Sequence, residues 1–215
     1  MIATPSKPRR VELILRQIDS LPTLPAVATR LLQLTSSDDS DAREVMAVVA
    51  SDPPLTAKVL SLCRTADKGL REEVITVDRA VVLLGFNAIR NAVLSVKVFE
   101  LFSGDGRSGA EEPQQGFDRV GFWSHSLAVA ILCEQIVLRG PRMPGVDASE
   151  AFVCGLLHDI GKLALDHVLP KSFARVLELV DLNQGNIAEF ERRIIGIDHH
   201  TAGKRLAEQW GLPHR

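Results

Sequence analysis

Apolar residues recur along the chain at the spacing of amphipathic α-helices. In the first half this spacing is found in residues 11–18, 26–34, 45–50, 77–84 and 87–102, and in the second half in residues 117–138, 151–157, 165–180, 187–195 and 199–210. No segment alternates apolar and polar residues for long enough to indicate a strand. The pattern predicts an all-α protein whose first half is a stack of short helices.

Capping residues mark the starts of several of these helices. Asp52, Asp147, Asn186 and Asp198 each precede an apolar helical pattern. Short polar side chains at this position accept hydrogen bonds from the amides of the first helical turn. We therefore expect a helix to begin directly after each of them.

The segment at residues 151–157 has no charged side chain, so a helix there would be apolar on all sides and is expected in the interior. His158 and Asp159 follow it directly. Gly161 comes next, and as a glycine it can adopt a positive φ and end the helix. Because a buried carboxylate is costly without a partner, we expect Asp159 to face a metal ion, a cation or several hydrogen-bond donors.

Two further histidines are predicted to face the interior. His125 shares a helix face with apolar residues four, seven and eleven positions later. His199 also shares a face with apolar residues, whereas His200, about 100° away on the helix, is expected to face solvent. Together with His158 and Asp159, these inward residues form a candidate site whose imidazole and carboxylate ligands suit iron, manganese or zinc.

A structural interpretation stands beside the metal site. Each inward histidine could be a hydrogen-bonded core residue. Asp159 could cap or brace a neighbouring helix, or simply pair with Lys162. The three cysteines have unrelated spacings, which favours neither a disulfide framework nor a cysteine zinc site, and we expect them in the core.

Composition excludes several classes of protein. The 215 residues, 46% hydrophobic and 24% charged, are typical of a soluble globular protein. A net charge of −2 with scattered basic residues provides no basic face, so nucleic acid is not an expected partner. No uninterrupted apolar run approaches the roughly 20 residues needed to cross a bilayer, and no signal peptide is recognisable. We therefore expect a cytoplasmic protein without a membrane partner.

Several segments resemble known families. HDIGK at residues 158–162, WSHS at 123–126 and GIDHHTAGKRLAEQWGLP at 196–213 resemble the metal-dependent HD phosphohydrolase superfamily. In the first half, LPTLPAVATRLLQL at 21–34, VVASDPPLTAKVLSL at 48–62 and AVVLLGFNAIRNAVLS at 80–95 resemble the HDOD domain, the HD-related output domain of bacterial signalling proteins. The resemblance covers nearly the whole chain.

The resemblance implies one all-α, multi-helix, HD-like domain over residues 1–215. Its helical N-terminal part would comprise residues 20–102 and its HD-like part residues 117–215. Residues 103–116, rich in Gly, Ser, Glu and Gln, would form a flexible loop inserted between them. Because HDOD sequences usually continue past the position of Arg215, the domain is expected to be truncated at its C-terminal end.

The catalytic relatives imply roles for particular residues. There, residues matching His125, His158 and Asp159, with a later aspartate, hold metal whose bound water attacks phosphorus, and Lys162 would help to hold the phosphate. Asp159 and Lys162 are thus the catalytic candidates if the chain is an enzyme. His199 matches a position that binds a second metal in some relatives. This chain departs from the pattern, since it has no aspartate after residue 198 and lacks the HHxxxxGxGYP signature of cyclic-di-GMP phosphodiesterases.

HDOD domains as a family have no established reaction. The first hypothesis is therefore a non-catalytic signal-transduction module that contacts another signalling protein or domain and retains a divalent metal as a structural staple. The alternative is a metal-dependent phosphohydrolase acting on a nucleotide or cyclic nucleotide. Neither the partner, the metal nor the oligomeric state follows from the residues.

Overall fold

The computed structural model describes residues 7–35, 42–66, 76, 85–103, 116–141 and 144–212. These residues are mainly helical and include no strand, which confirms the all-α prediction. The described helices are α1 (Lys7–Asp19), α2 (Ala26–Thr35), α3 (Ala42–Ala50), α4 (Pro53–Ala66), α5 (Phe86–Ser103), α6 (Arg119–Arg139), α7 (Ala148–Leu157), α8 (Ile160–Val168), α9 (Pro170–Asn183), α10 (Ile187–Ile194) and α11 (His199–Gln209). The helix predicted at 77–84 and most of the loop predicted at 103–116 lie outside the described residues.

The chain divides into two compact units. Unit 1 comprises Met1–Thr23, Asp105–Leu132 and Cys154–Arg215. Unit 2 comprises Leu24–Gly104 and Cys133–Val153. All four predicted metal ligands belong to unit 1, which is the unit that matters for the candidate site.

Unit 2 is built from α2, α3, α4 and α5, which pack on one another. Leu55 and Val59 of α4 are buried, as their spacing predicts. Asp52 caps α4 as expected, because its Oδ1 accepts a hydrogen bond from the Leu55 amide at 3.0 Å. Its Oδ2 lies 2.6 Å from Nζ of Lys97, a side chain that is only 10% exposed. Asp52 therefore joins the start of α4 to α5.

We expect Asp52→Ala to lower the free energy of unfolding by about 1–2 kcal/mol at neutral pH, because both a cap and a charge-assisted bond are lost. The hydrogen bond from Lys97 holds the pKa of Asp52 below its ordinary value. This stabilisation is therefore present above about pH 4 and is lost as the pH falls further. Urea denaturation should show a smaller difference between wild type and variant at pH 3 than at pH 7. An unchanged difference would contradict the assignment.

Unit 1 centres on the crossing of α8 with α11, and α1 packs on both. Arg205 of α11 donates to the two carboxylate oxygens of Asp19 at 2.7 and 2.8 Å. Gln209 donates to the carbonyls of Asp19 and Leu21, both at 3.0 Å. These contacts join the end of α11 to the end of α1.

Gly161 makes the crossing of α8 and α11 possible. It was expected to end a helix, and that prediction is wrong: Gly161 is buried inside α8. A Cβ atom at this position would lie 1.9 Å from the carbonyl oxygen of His199 and 2.6 Å from the amide nitrogen of Gly203. The glycine is therefore required by the close approach of two backbones.

A second helix boundary also differs from the expectation. The single helix predicted at residues 165–180 is interrupted, because α8 ends at Val168 and α9 begins at Pro170. A proline in a helix interior removes a hydrogen bond and clashes with the preceding turn, whereas the first turn accommodates it. Pro170 therefore starts α9 rather than continuing α8.

The inward orientation predicted for His125 is wrong. The buried residues of α6 are Phe122, Ser126 and Ala130, whereas His125 is exposed. Gly155 of α7 approaches this face so closely that a Cβ there would lie 2.6 Å from Cα of Ala130. Small side chains allow this contact, so close packing rather than hydrophobicity selects the buried face of α6.

Large apolar side chains remain exposed along α6. They are Val120, Leu127, Ile131, Leu132, Ile136 and Leu138. In the described part of the chain, α6 alone has the length and apolar composition to span a bilayer. Because core helices of soluble proteins meet the same criteria, these properties do not establish a membrane segment.

Helix α7 was expected to be buried on all sides, but only one of its faces is buried. Phe152 and Leu156 are buried, but Cys154 is exposed and Cys133 of α6 is half-buried. The expectation that the cysteines fill the core is therefore wrong for Cys154, and the side chain of Cys63 lies outside the description. A helix that is apolar on all sides gives no signal of which face is covered.

Candidate metal centre

Three of the predicted ligands converge where α7 ends and α8 begins. The ligand atoms of His125, His158 and Asp159 all lie within 4.8 Å of one another. His158 and Asp159 occupy the break between the two helices, outside the regular 100° rotation that separates neighbouring helical residues. His125 reaches them from α6, and its ring centroid is 5.2 Å from that of His158. The cluster opens to solvent, since both histidines are exposed. The inward position predicted for His158 is therefore wrong as well, because His158 lies in the break between the helices and not on a buried helix face.

His199 approaches the same cluster from α11. Its side chain is 4% exposed, as the sequence predicts, and its Nε2 lies 3.6 Å from Oδ1 of Asp159. The close crossing at Gly161 brings the first turn of α11 against α8, and this places the His199 ring next to Asp159. His200 is exposed, also as predicted, with its ring 4.0 Å from that of His199.

Hydrogen bonds orient two of the imidazole rings toward Asp159. Nδ1 of His158 donates to the carbonyl of Gly155 at 2.8 Å, and Nδ1 of His199 donates to Oε2 of Glu191 at 2.6 Å. Since both partners are acceptors, Nδ1 carries the proton in each ring. Nε2 of His158 then faces Oδ2 of Asp159 at 3.4 Å, and Nε2 of His199 faces Oδ1. The lone pair on each Nε2 and those on the carboxylate oxygens repel each other unless a proton or a cation lies between them. These nitrogen and oxygen atoms are therefore suitable ligands for a divalent cation.

Asp159 is the carboxylate of this cluster, and its side chain is 12% exposed. Burial by itself raises the pKa of Asp159, but the hydrogen bond from Lys162 and the positive charge of Lys162 outweigh it, and the net shift is downward. Nζ of Lys162 donates to Oδ2 at 2.6 Å. Asp159 makes no side-chain capping bond to α8, so the capping alternative is wrong for this helix, whereas the pairing with Lys162 is observed.

Glu191 is a site residue that the sequence analysis missed. Its side chain is fully buried, and its Oε2 accepts both the Nδ1 proton and the backbone amide of His199, the latter at 2.8 Å. A signal existed in the sequence, because Glu191 shares the buried face of α10 with Ala188, followed by Ile195. A carboxylate on the apolar face of an amphipathic helix needs a partner.

A cavity of about 260 Å³ opens beside the cluster in unit 1. Its polar side chains are all basic or imidazole, namely His158, His199, His200 and Lys204. Its apolar side chains include those of Leu157, Ile160, Ala207, Trp210 and Leu212. A wall with no carboxylate suits an anionic group with an apolar body.

The remaining carboxylates of this region have other partners. Asp198 accepts from the amide of Thr201 at 2.9 Å and from Arg192 at 2.5 Å. Burial raises the pKa of Asp198, but these hydrogen bonds prevail and lower it to about 2. Glu208 lies near Lys204 and Arg205 on the outer side of α11. Within the described residues, the metal-ligating group contains one carboxylate, that of Asp159.

Comparison with known proteins shows which family this chain resembles. Residues 21–215 match the HDOD domain. A crystal structure of a "Putative phosphohydrolase" from Shewanella amazonensis SB2B is 31% identical, with a TM-score of 0.70 over 93% of this chain and 67% of that chain. An HDOD domain protein with unknown function from Geobacter sulfurreducens is 27% identical, with a TM-score of 0.75 over 94% of this chain and 67% of that chain.

One more distant solved structure shares the fold, and one more distant relative matches in sequence. A "Putative signal transduction protein" from Marinobacter aquaeolei VT8 is 23% identical, with a TM-score of 0.75 over 96% of this chain and 47% of that chain. An uncharacterized protein from Treponema pallidum (strain Nichols) is 20% identical over 197 residues, which are 92% of this chain and 36% of the relative. The chain thus spans about a third of the length of that curated relative.

Proposed function

The chain belongs to the HDOD family, and from this we propose that it is a signal-transduction module that acts through protein contacts and does not hydrolyse phosphoesters. His125, His158, Asp159 and His199 hold a divalent cation, iron, manganese or zinc, as a structural staple. When bound, such a cation would join α6, α8 and α11. The partner is another signalling protein or domain, and the chain works in the cytoplasm.

The observation that carries this proposal is the pairing of Asp159 with Lys162 at 2.6 Å. Asp159 supplies the one carboxylate of the described cluster, and Lys162 already compensates its charge. Metal-assisted hydrolysis needs a cation that lowers the pKa of its water and a group that takes the released proton. Imidazoles and a compensated carboxylate can hold a cation, but once they do so no group of the described cluster is left to act as the base.

The exposed side chains of α6 support protein contacts as the mode of action. Val120, Leu127 and Ile131 recur at steps of seven and four on one face of α6 within unit 1, and they are 78%, 41% and 46% exposed, respectively. Large exposed apolar side chains that follow one another along a helix are typical of interaction surfaces. A partner that covers them would gain the burial of apolar area.

A phosphoester screen tests the non-catalytic proposal. The protein, loaded separately with Mn²⁺, Fe²⁺ and Zn²⁺, is assayed on phosphomonoesters, nucleotides and cyclic dinucleotides beside its Asp159→Asn and Asp166→Asn variants. Asp166 is a matched control, because it also pairs with a cation, Arg119, at 2.6 Å and is 15% exposed. We expect no hydrolysis above the metal-only blank. Hydrolysis that Asp159→Asn abolishes and Asp166→Asn preserves would overturn the proposal.

The second candidate function is a metal-dependent phosphohydrolase acting on a nucleotide or cyclic nucleotide. The cavity beside the cluster favours it, because its polar lining is basic and its apolar lining could receive a base or ring. Asp159 and Lys162 would then be the catalytic residues. The screen described above decides between the two candidates.

A further inference from the structure

We infer that Glu191 is the positioning residue that makes His199 a ligand of the cation, an inference that rests on the proposed metal staple. His199 is the most deeply buried of the four ligands, and Glu191 is the group that holds its ring. Glu191 itself lies behind His199 and contacts the cluster only through it. Its role is therefore to fix which nitrogen of His199 faces Asp159.

The burial of Glu191 has no other explanation among the described residues. Its side chain is 0% exposed, and both of its hydrogen bonds come from His199, one from the ring and one from the backbone amide. Its second oxygen, Oε1, is buried without a hydrogen-bond partner. The neighbouring arginines are directed elsewhere, since Arg192 pairs with Asp198 and Arg193 lies over the ring of Phe190. A buried carboxylate is costly unless it is paired, and the pair here is His199.

The contact has a definite consequence for His199. A carboxylate accepts but does not donate, so the Nδ1 of His199 must carry a proton and Nε2 is directed at Asp159, 3.6 Å away. Hydrogen bonding of a metal-binding histidine to a carboxylate fixes its tautomer and increases its basicity. His158 obtains the same tautomer from the carbonyl of Gly155. The two rings thus face Asp159 in the same manner, although one is held by backbone and the other by a side chain.

The first test uses the metal-free wild-type protein, so it does not depend on the proposed function. Long-range ¹H–¹⁵N NMR spectra report which imidazole nitrogen of His199 is protonated. We expect a proton on Nδ1 across the neutral pH range, and an Nδ1 without a proton would overturn the inference. In Glu191→Leu the Nδ1 proton should no longer be fixed, whereas Glu191→Gln should retain it through its amide oxygen.

The second test measures Mn²⁺ and Zn²⁺ affinity in the same variants. Glu191→Leu should weaken binding by about 10- to 100-fold, while Glu191→Gln recovers most of the affinity. Glu189→Gln, an exposed carboxylate on the same helix, should leave affinity unchanged. If Glu191→Leu folds and binds metal like wild type, the positioning role is wrong. If wild type binds no metal, the staple proposal fails, and the NMR result on wild type still decides the orientation of His199.

Discussion

Replacing Gly161 by alanine is expected to destabilise unit 1 by at least about 3 kcal/mol and to displace His199. The added Cβ would lie 1.9 Å from the carbonyl oxygen of His199 and 2.6 Å from the amide of Gly203, both backbone atoms that cannot rotate away. Alanine is otherwise favoured over glycine in a helix, so any loss of stability is steric. Urea denaturation of the metal-free protein measures the change.

Gly203→Ala is the matched control for this prediction. It is the facing glycine of the same crossing, and its Cβ would lie no closer than 3.3 Å to an atom of α8, the amide nitrogen of Gly161. A small adjustment accommodates that contact, so we expect a change within about 1 kcal/mol. Equal destabilisation by the two variants would mean that α8 and α11 do not cross as closely as the structure shows.

Asp159→Asn should lower the free energy of unfolding of the metal-free protein by about 2 kcal/mol. The change leaves Lys162, whose side chain is only 20% exposed, facing a neutral amide instead of a carboxylate. In a double-mutant cycle with Lys162→Met, we expect a coupling energy of about 1–2 kcal/mol, because the two side chains are in direct contact.

Asp166 and Arg119 provide the comparison for that cycle. Their nitrogen–oxygen distance is also 2.6 Å, but Arg119 is 28% exposed and the pair lies outside the metal-ligating cluster. Asp166→Asn should cost less than Asp159→Asn, about 1 kcal/mol or below. A coupling energy near zero between Asp159 and Lys162 would show that Lys162 does not compensate the carboxylate.

Helical periodicity predicted the fold and one buried ligand from the sequence. His199 was placed correctly because α11 is strongly amphipathic and its apolar face determines the orientation. The caps at Asp52, Asn186 and Asp198 were also predicted, since each uses only residues within one turn. Helix faces and caps depend on residues that are close in sequence, so they can be predicted from the sequence alone.

The errors concern contacts between residues distant in sequence. His125 was given the wrong face because Ala130 packs against Gly155, and small residues at a close helix contact have little hydrophobic signal. Gly161 was expected to end a helix because its real constraint, the backbone of His199, is 38 positions away in the sequence. Glu191 was missed although its position on the apolar face of α10 was a local signal, because its partner, eight positions later, is on the next helix. His125 nevertheless reaches the cluster from its exposed position.

One measurement tests the central claim, that His125, His158, Asp159 and His199 form one cation site. Isothermal titration with Mn²⁺ and Zn²⁺ is carried out on wild type and on separate alanine variants of His125, His158, His199 and His200. We predict one divalent ion per wild-type chain and at least a tenfold loss of affinity in the first three variants. His200→Ala should bind like wild type, because His200 is not among the described residues that contact Asp159 or belong to the metal-ligating group. No binding by wild type, or an equal loss in His200→Ala, would contradict the account.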